Sequence, residues 1–179
     1  YVSEGRVNYK SLQTTGDIVP LIIKVEKANL EGTDEETRKA FYINAYNLYV
    51  IDLVLRDYPL QSVQDIPGFF DKNKIIVAGN KVTLNQLEKD YLLKPFNDPR
   101  LHFVLVCGAI GCPPIINFAY RPQKLKEQLE QQTRTALNEF TFIRSNGVKT
   151  EISRIFKWYI EYFGGTKSRV IDYINNYRS

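Results

Sequence analysis

Residues 101–114, LHFVLVCGAIGCPP, hold the single histidine of the chain, His102, and both of its cysteines, Cys107 and Cys112. A thiol with an imidazole is the smallest set for nucleophilic acyl chemistry. The thiolate attacks a carbonyl, the imidazole carries the proton, and an amide or carboxylate holds the imidazole in place. The residue types suited to that third role are Asn44, Asn47 and Glu88. An apolar, β-branched run leads into the stretch and a Gly/Pro-rich loop leaves it, so it reads as a buried strand delivering polar groups to a loop.

In a regular strand His102, Val104 and Val106 share one face, while Phe103, Leu105 and Cys107 share the other. At roughly 3.3 Å per residue, His102 and Cys107 stand about 16 Å apart, too far for a dyad even with a bulge. Cys112 follows a loop that can reverse the chain, and Pro113-Pro114 keeps it out of an interior strand, which makes Cys112 the preferred nucleophile. The backbone amides of 108–111 are the candidate oxyanion donors. Three readings of the cysteines stay open. They form a disulfide, which requires an oxidising compartment; or they are buried thiols that only pack; or one is a thiolate served by His102 and oriented by Asn47, Asn44 or Glu88. The CxxxxC spacing fits neither a thioredoxin-like redox site nor a zinc site, so neither a metal nor another cofactor is expected.

The elements that must position these residues follow from local patterns. Residues 2–12 read as an opening strand or an ordered tail, and Ile18, Leu21, Ile22 and Val25 predict a helix over 17–29. Thr33 and Glu36 make a T-x-x-E capping box ahead of a long helix that Tyr58-Pro59 ends. Its apolar stripe is Ala40, Phe41, Leu48, Ile51 and Leu55, and Asn44 and Asn47 fall inside that stripe. A buried amide without a partner costs about 1 to 3 kcal/mol, so both must bond something fixed, either a loop's backbone or a ligand or catalytic group. Phe69-Phe70 reads as aromatic anchors on the core or as a cover for a cleft. Hairpins are expected at 74–83, around Gly79-Asn80, and at 140–152, around Ser145-Asn146-Gly147. Between them lie a helix that Thr83 and Gln86 cap, with Glu88 in its middle, and an amphipathic helix over 121–138. An aromatic helix from Ser153 to the Gly164-Gly165 pair and a last helix over 168–177 complete the chain. Helices interleaved with antiparallel hairpins predict an α+β fold, one domain over 1–179, with helices packed on a small, mainly antiparallel sheet.

Composition narrows the function classes. An apolar fraction of 44% with 13% aromatics specifies a packed globule rather than a disordered chain. A net charge of +4 with scattered basic residues gives no indication of a nucleic-acid surface. Asn44, Asn47 and Asp52 interrupt the longest apolar run, so no transmembrane segment is expected. The chain starts at Tyr1 and holds no methionine, which points to loss of either a leader or an upstream segment, and loss of a leader predicts an extracytoplasmic or secreted location.

Six short motifs occur in order: Phe41-x-Ile43-Asn44-x-Tyr46-Asn47; Tyr58-Pro59 with Ser62-Val63-x-Asp65-Ile66; Leu84-Asn85-x-Leu87-Glu88; Asp98-Pro99-Arg100-x-His102-Phe103; Cys107-Gly108-Ala109-x-x-Cys112-Pro113-Pro114; and Ile155-Phe156-x-Trp158-Tyr159. Together they resemble domain-of-unknown-function family 547 over nearly the whole chain. The resemblance implies a bacterial or plant protein of unassigned activity, with many bacterial members exported. Gly111 stands where that family usually carries Ser, and Lys94 where it carries Arg. The family's typical polar residues coincide with Asn44, Asn47, Glu88, His102, Cys107 and Cys112. The leading expectation is a cysteine- and histidine-dependent hydrolase or acyl-transfer enzyme of papain-like logic, acting on a peptide or small-molecule substrate. The alternative is a non-catalytic binding or structural module in which Asn, Glu and His form a buried polar network and Phe69-Phe70 meets a partner.

Overall fold

Helix α3, Glu35–Arg56, is the element the rest of the first core packs against. It follows from a computed structural model that describes residues 1–108, 112–140 and 142–178. Asp34 caps the helix, its carboxylate accepting the Thr37 amide at 2.7 Å, and Glu35 and Glu36 add negative charge to the positive end of the helix dipole. The start therefore falls one residue later than the Thr33 box predicts. The Thr33 hydroxyl instead donates to the Leu30 carbonyl. Ala40, Ile43, Tyr46, Tyr49, Val50 and Leu53 are all buried, on more than one side of the helix, because neighbours cover it on several sides.

Before α3, a two-residue ribbon (β1, Val2–Ser3; β2, Arg6–Val7) leads into α1, Tyr9–Thr15, and α2, Ile18–Glu26. The helix α1 replaces the expected strand or tail. Asn8 caps it through the Ser11 amide, and seven residues are too few for its periodicity to show in the sequence. Strands β3, Ile75–Val77, and β4, Asn80–Val82, form the first expected hairpin. Val77 pairs with Asn80, so the turn sits on Ala78-Gly79, one residue earlier than expected, with both at positive φ. Their amides donate to the Val25 and Glu26 carbonyls, which satisfies the open end of α2 and holds the turn there. Phe69 is buried in the core and Phe70 packs edge-on against it, so the pair anchors the loop rather than projecting toward a partner.

The Thr83–Gln86 capping box forms as expected, with reciprocal bonds of 3.1 and 3.0 Å. It opens α4, Leu84–Gln86, which widens into a π-helical segment, Leu87–Leu93, before α5, Lys94–Phe96. Pro95 has no amide to donate to the Tyr91 carbonyl and its ring crowds that position, a local reason for the wider turn. Asp98 then caps a 3₁₀ turn over Pro99–Phe103, and the chain runs irregularly to Gly108. The expected strand through His102 is absent here. A short apolar run reads alike for strand and buried helix, and Asp98 with Pro99 at the first helical position decides for the helical turn.

Helix α6, Leu125–Asn138, follows a 3₁₀ turn at Pro122–Lys124. Strands β5, Ile143–Ser145, and β6, Thr150–Ile152, form the second expected hairpin, of which Thr141 lies outside the described residues. Helix α7, Ile155–Trp158, a 3₁₀ turn at Ile160–Phe163 closed by left-handed Gly164, and α8, Lys167–Tyr177, end the fold. The architecture is α+β, and the described strands form three separate two-stranded antiparallel ribbons. Two apolar clusters make the core, one around α3 and one among the C-terminal elements. The Pro99–Phe103 turn joins them, with Leu101 in the first and Phe103 in the second. None of the described helices is long and apolar enough to cross a membrane.

Candidate functional site

Asn44 and Asn47 lie about one turn apart on α3, and both bond the backbone of the segment that follows the Pro99–Phe103 turn. Asn47 donates to the Val104 carbonyl at 2.9 Å and accepts the Val106 amide at 3.0 Å. Asn44 donates to the Tyr120 carbonyl at 2.8 Å and accepts the Tyr120 amide at 2.9 Å. Each amide thus pairs with an irregular backbone as a strand would. The two asparagines grip the two ends of the cysteine loop, which is the fixed backbone partner that their place in an apolar stripe demands.

Two further amides, which sequence reasoning missed, complete the grip from α6. Gln128 accepts the Arg121 amide at 2.8 Å and donates to the Ala119 carbonyl at 3.2 Å, and Gln132 donates to the Pro114 carbonyl at 3.1 Å. Both are buried. Their signal in the sequence is spacing: at i and i+4 they share the face of Leu125 and Leu129, where an amphipathic helix should carry apolar residues. Inside the loop, Cys107 and Cys112 are joined by a disulfide with their Cα atoms 6.0 Å apart. Of the three readings of the cysteines, the structure adopts the disulfide. Gly108 has φ +70, and a Cβ there would stand 2.7 Å from Val63 Cγ1, so only glycine fits this turn against the core.

Glu88 and His102 belong to a second group, on another side of α3. Glu88 projects from the π-helical segment and accepts the Tyr159 hydroxyl at 2.9 Å and the Tyr46 hydroxyl at 3.4 Å. Burial pushes its carboxyl above the ordinary range, and the two tyrosine bonds only partly pull it back. Tyr46 is in turn pushed well up by burial and by the adjacent carboxylate. The His102 ring packs on Tyr159 with centroids 4.1 Å apart, and against Tyr162 and Phe163 at 5.1 and 5.6 Å. Its Nε2 is buried without a hydrogen-bond partner among the described residues. Burial lowers the imidazole to about 4 although Asp98 opposes it, so His102 is neutral at pH 7. Burial pushes Asp98 up, but bonds from Arg100 and Lys39 outweigh it and hold the carboxyl down at about 2.

The residues singled out from sequence therefore fall into two sets. Asn44, Asn47, Cys107 and Cys112 build one loop, whereas Glu88 and His102 meet on Tyr159. The described hydrogen bonds link neither cysteine to His102, and Asn47 and Glu88 direct theirs to backbone and to tyrosines. Of the candidate oxyanion amides, those of 109–111 lie outside the described residues.

Two clefts flank the clamped loop. One of about 600 Å³ lies between the N-terminal segment, α2, α3 and residues 115–120, with Asn44 and Asn47 in its lining. Another of about 640 Å³ is lined by Gly108, Cys112 and Pro113 on the loop side and by Gly5, Arg6 and Tyr9 opposite. Gly5, at φ +71, lets the ribbon approach the loop closely, since a Cβ there would meet Pro114 Cβ at 2.8 Å.

The sequence model of the family described as protein of unknown function, DUF547, matches residues 30–136. The chain belongs to this family. No curated protein and no solved structure matches it. The DUF547 span carries all four clamping amides, both cysteines, Glu88 and His102. Tyr159, which bonds Glu88, and helix α2, which walls the first cleft, lie outside it.

Proposed function

We propose that this DUF547 chain is a non-catalytic binding module that holds a small ligand in the cleft between α2, α3 and residues 115–120. The observation that carries the reading is the Cys107–Cys112 bond inside a loop gripped by four side-chain amides. The sulfurs are engaged with each other, and Asn44 and Gln128 hold residues 119 and 120, part of the wall of this cleft, in place. A preformed, mostly apolar cleft of this size falls in the range of roughly 300 to 1,000 Å³ usual for small-ligand sites, which favours a small molecule over a peptide. The Asn and Gln contacts serve to hold backbone, and the Glu-Tyr-His contacts pack the other side of α3. The disulfide supports an extracytoplasmic location, because such bonds persist in oxidising compartments. The chain over 1–179 works as one unit, since the cleft and the Glu88 contacts both draw on residues beyond the matched span.

The test is alkylation of the native protein with iodoacetamide across pH 5 to 9, with and without reductant, mapped by mass spectrometry. The expected result is no label without reductant and label on both cysteines after reduction. Rapid labelling of one cysteine well below its ordinary pKa of about 8.5, abolished in a folded His102→Ala variant, would overturn the reading in favour of a cysteine-histidine hydrolase.

A further inference from the structure

The first cleft is apolar along most of its wall and charged at two side chains. Its walls are aliphatic and aromatic, with Ile18, Leu21 and Val25 from α2 facing Phe41, Leu48 and Ile51 from α3. Two charged residues line it, Asp17 and Lys24. Asp17 already accepts the Tyr1 hydroxyl, whereas Lys24 takes part in none of the described ion pairs. The cleft therefore carries one cation, Lys24, that no described ion pair engages, and one carboxylate, Asp17, that already accepts the Tyr1 hydroxyl.

We infer that the cleft takes an amphipathic monocarboxylate, its aliphatic chain lying between α2 and α3 and its carboxylate paired with Lys24. This rests on reading the cleft as the binding site, and it adds the chemical class of the ligand. At about 30 Å³ per water, the space corresponds to roughly twenty waters, enough for an alkyl chain of about a dozen carbons. Each methylene buried should tighten binding by about fourfold until the cleft is full. A carboxylate at the rim meets Lys24, while a cationic head of the same chain length meets like charge.

The experiment is calorimetric titration of the whole chain, below micelle-forming concentrations, with dodecanoate, dodecanol and dodecyltrimethylammonium, and with octanoate and decanoate for the chain-length series. Lys24→Glu and Leu21→Glu change exposed side chains, so both variants should fold, which circular dichroism checks. The expected result is dodecanoate binding at least tenfold tighter than dodecanol, with that preference lost in Lys24→Glu and all binding weakened in Leu21→Glu. If dodecanol binds as tightly as dodecanoate, or Lys24→Glu leaves the preference intact, the carboxylate assignment is overturned while the cleft reading stands. If none of the amphiphiles binds, both are overturned.

Discussion

Acid should destabilise this protein through His102 before it reaches most of its carboxylates. The imidazole is buried among Tyr159, Tyr162 and Phe163 with Nε2 unpartnered among the described residues, and it titrates near 4 instead of the ordinary 6.5. Between those values the unfolded chain binds a proton that the folded chain refuses, so stability falls as pH drops through 6.5 and the loss is complete near 4. The whole interval corresponds to about 3 kcal/mol, and about 2 kcal/mol of it is spent between pH 7 and 4.5. Glu88 acts in the opposite direction. Its raised carboxyl takes up a proton earlier in the folded state, which adds stability in acid and removes it as pH rises through the folded value. Asp98, held at about 2, loses its contribution as pH falls from the ordinary value of 3.8 to about 2, below the pH values compared. The clean measurement is therefore a difference between variants. Urea unfolding at pH 7, 5.5 and 4.5 is compared for the native chain and for His102→Phe, which keeps an aromatic ring in the aromatic cluster and removes the titrating nitrogen. The native chain should lose about 2 kcal/mol more than the variant on going from pH 7 to 4.5. Equal losses in the two proteins would refute the assignment of a buried neutral imidazole.

Asn47→Ala leaves the Val104 carbonyl and Val106 amide without their partner and should lower unfolding stability by about 2 kcal/mol, read from urea midpoints at unchanged m-value. Gln132→Leu removes a single bond to the Pro114 carbonyl while keeping an apolar side chain, so it should cost about 1 kcal/mol in the same assay. Reducing the Cys107–Cys112 bond opens a short loop and should cost about 2 kcal/mol, seen as a lower thermal midpoint with a phosphine reductant than without. Glu88→Gln keeps an acceptor for the Tyr159 hydroxyl and removes a buried charge. It should stabilise the protein at pH 7, with the gain disappearing in acid where Glu88 is itself protonated, as measured by thermal unfolding at pH 7 and 4.

The amino-acid sequence by itself determined the features that close within a few residues. The Thr83–Gln86 capping box, both hairpins and the span of α3 all depend on neighbours in the chain, and they stand where their residue types put them within a residue or so, except that the first strand of the second hairpin starts at Ile143, three residues late. It also marked Asn44 and Asn47 as misplaced for an apolar stripe, because an unpaired buried amide is costly wherever the chain takes it. Their partners, 57 to 76 residues away, were set only by the packing of α3 against the cysteine loop. The 3₁₀ turn that carries His102 is local as well: the apolar run has no period strong enough to separate strand from helix, and the adjacent Asp98 and Pro99 cap the turn. The spacing of Gln128 and Gln132 places them on the apolar face of their helix, but the backbone groups they bond became visible only with the loop in place. The pairing of the cysteines was one of three open readings, since spacing permits a disulfide but only the tertiary structure places the two Cα atoms 6.0 Å apart. Local free energies are written in adjacent residues, whereas a site made of side chains on backbone from distant segments exists only once the core has brought those segments into contact.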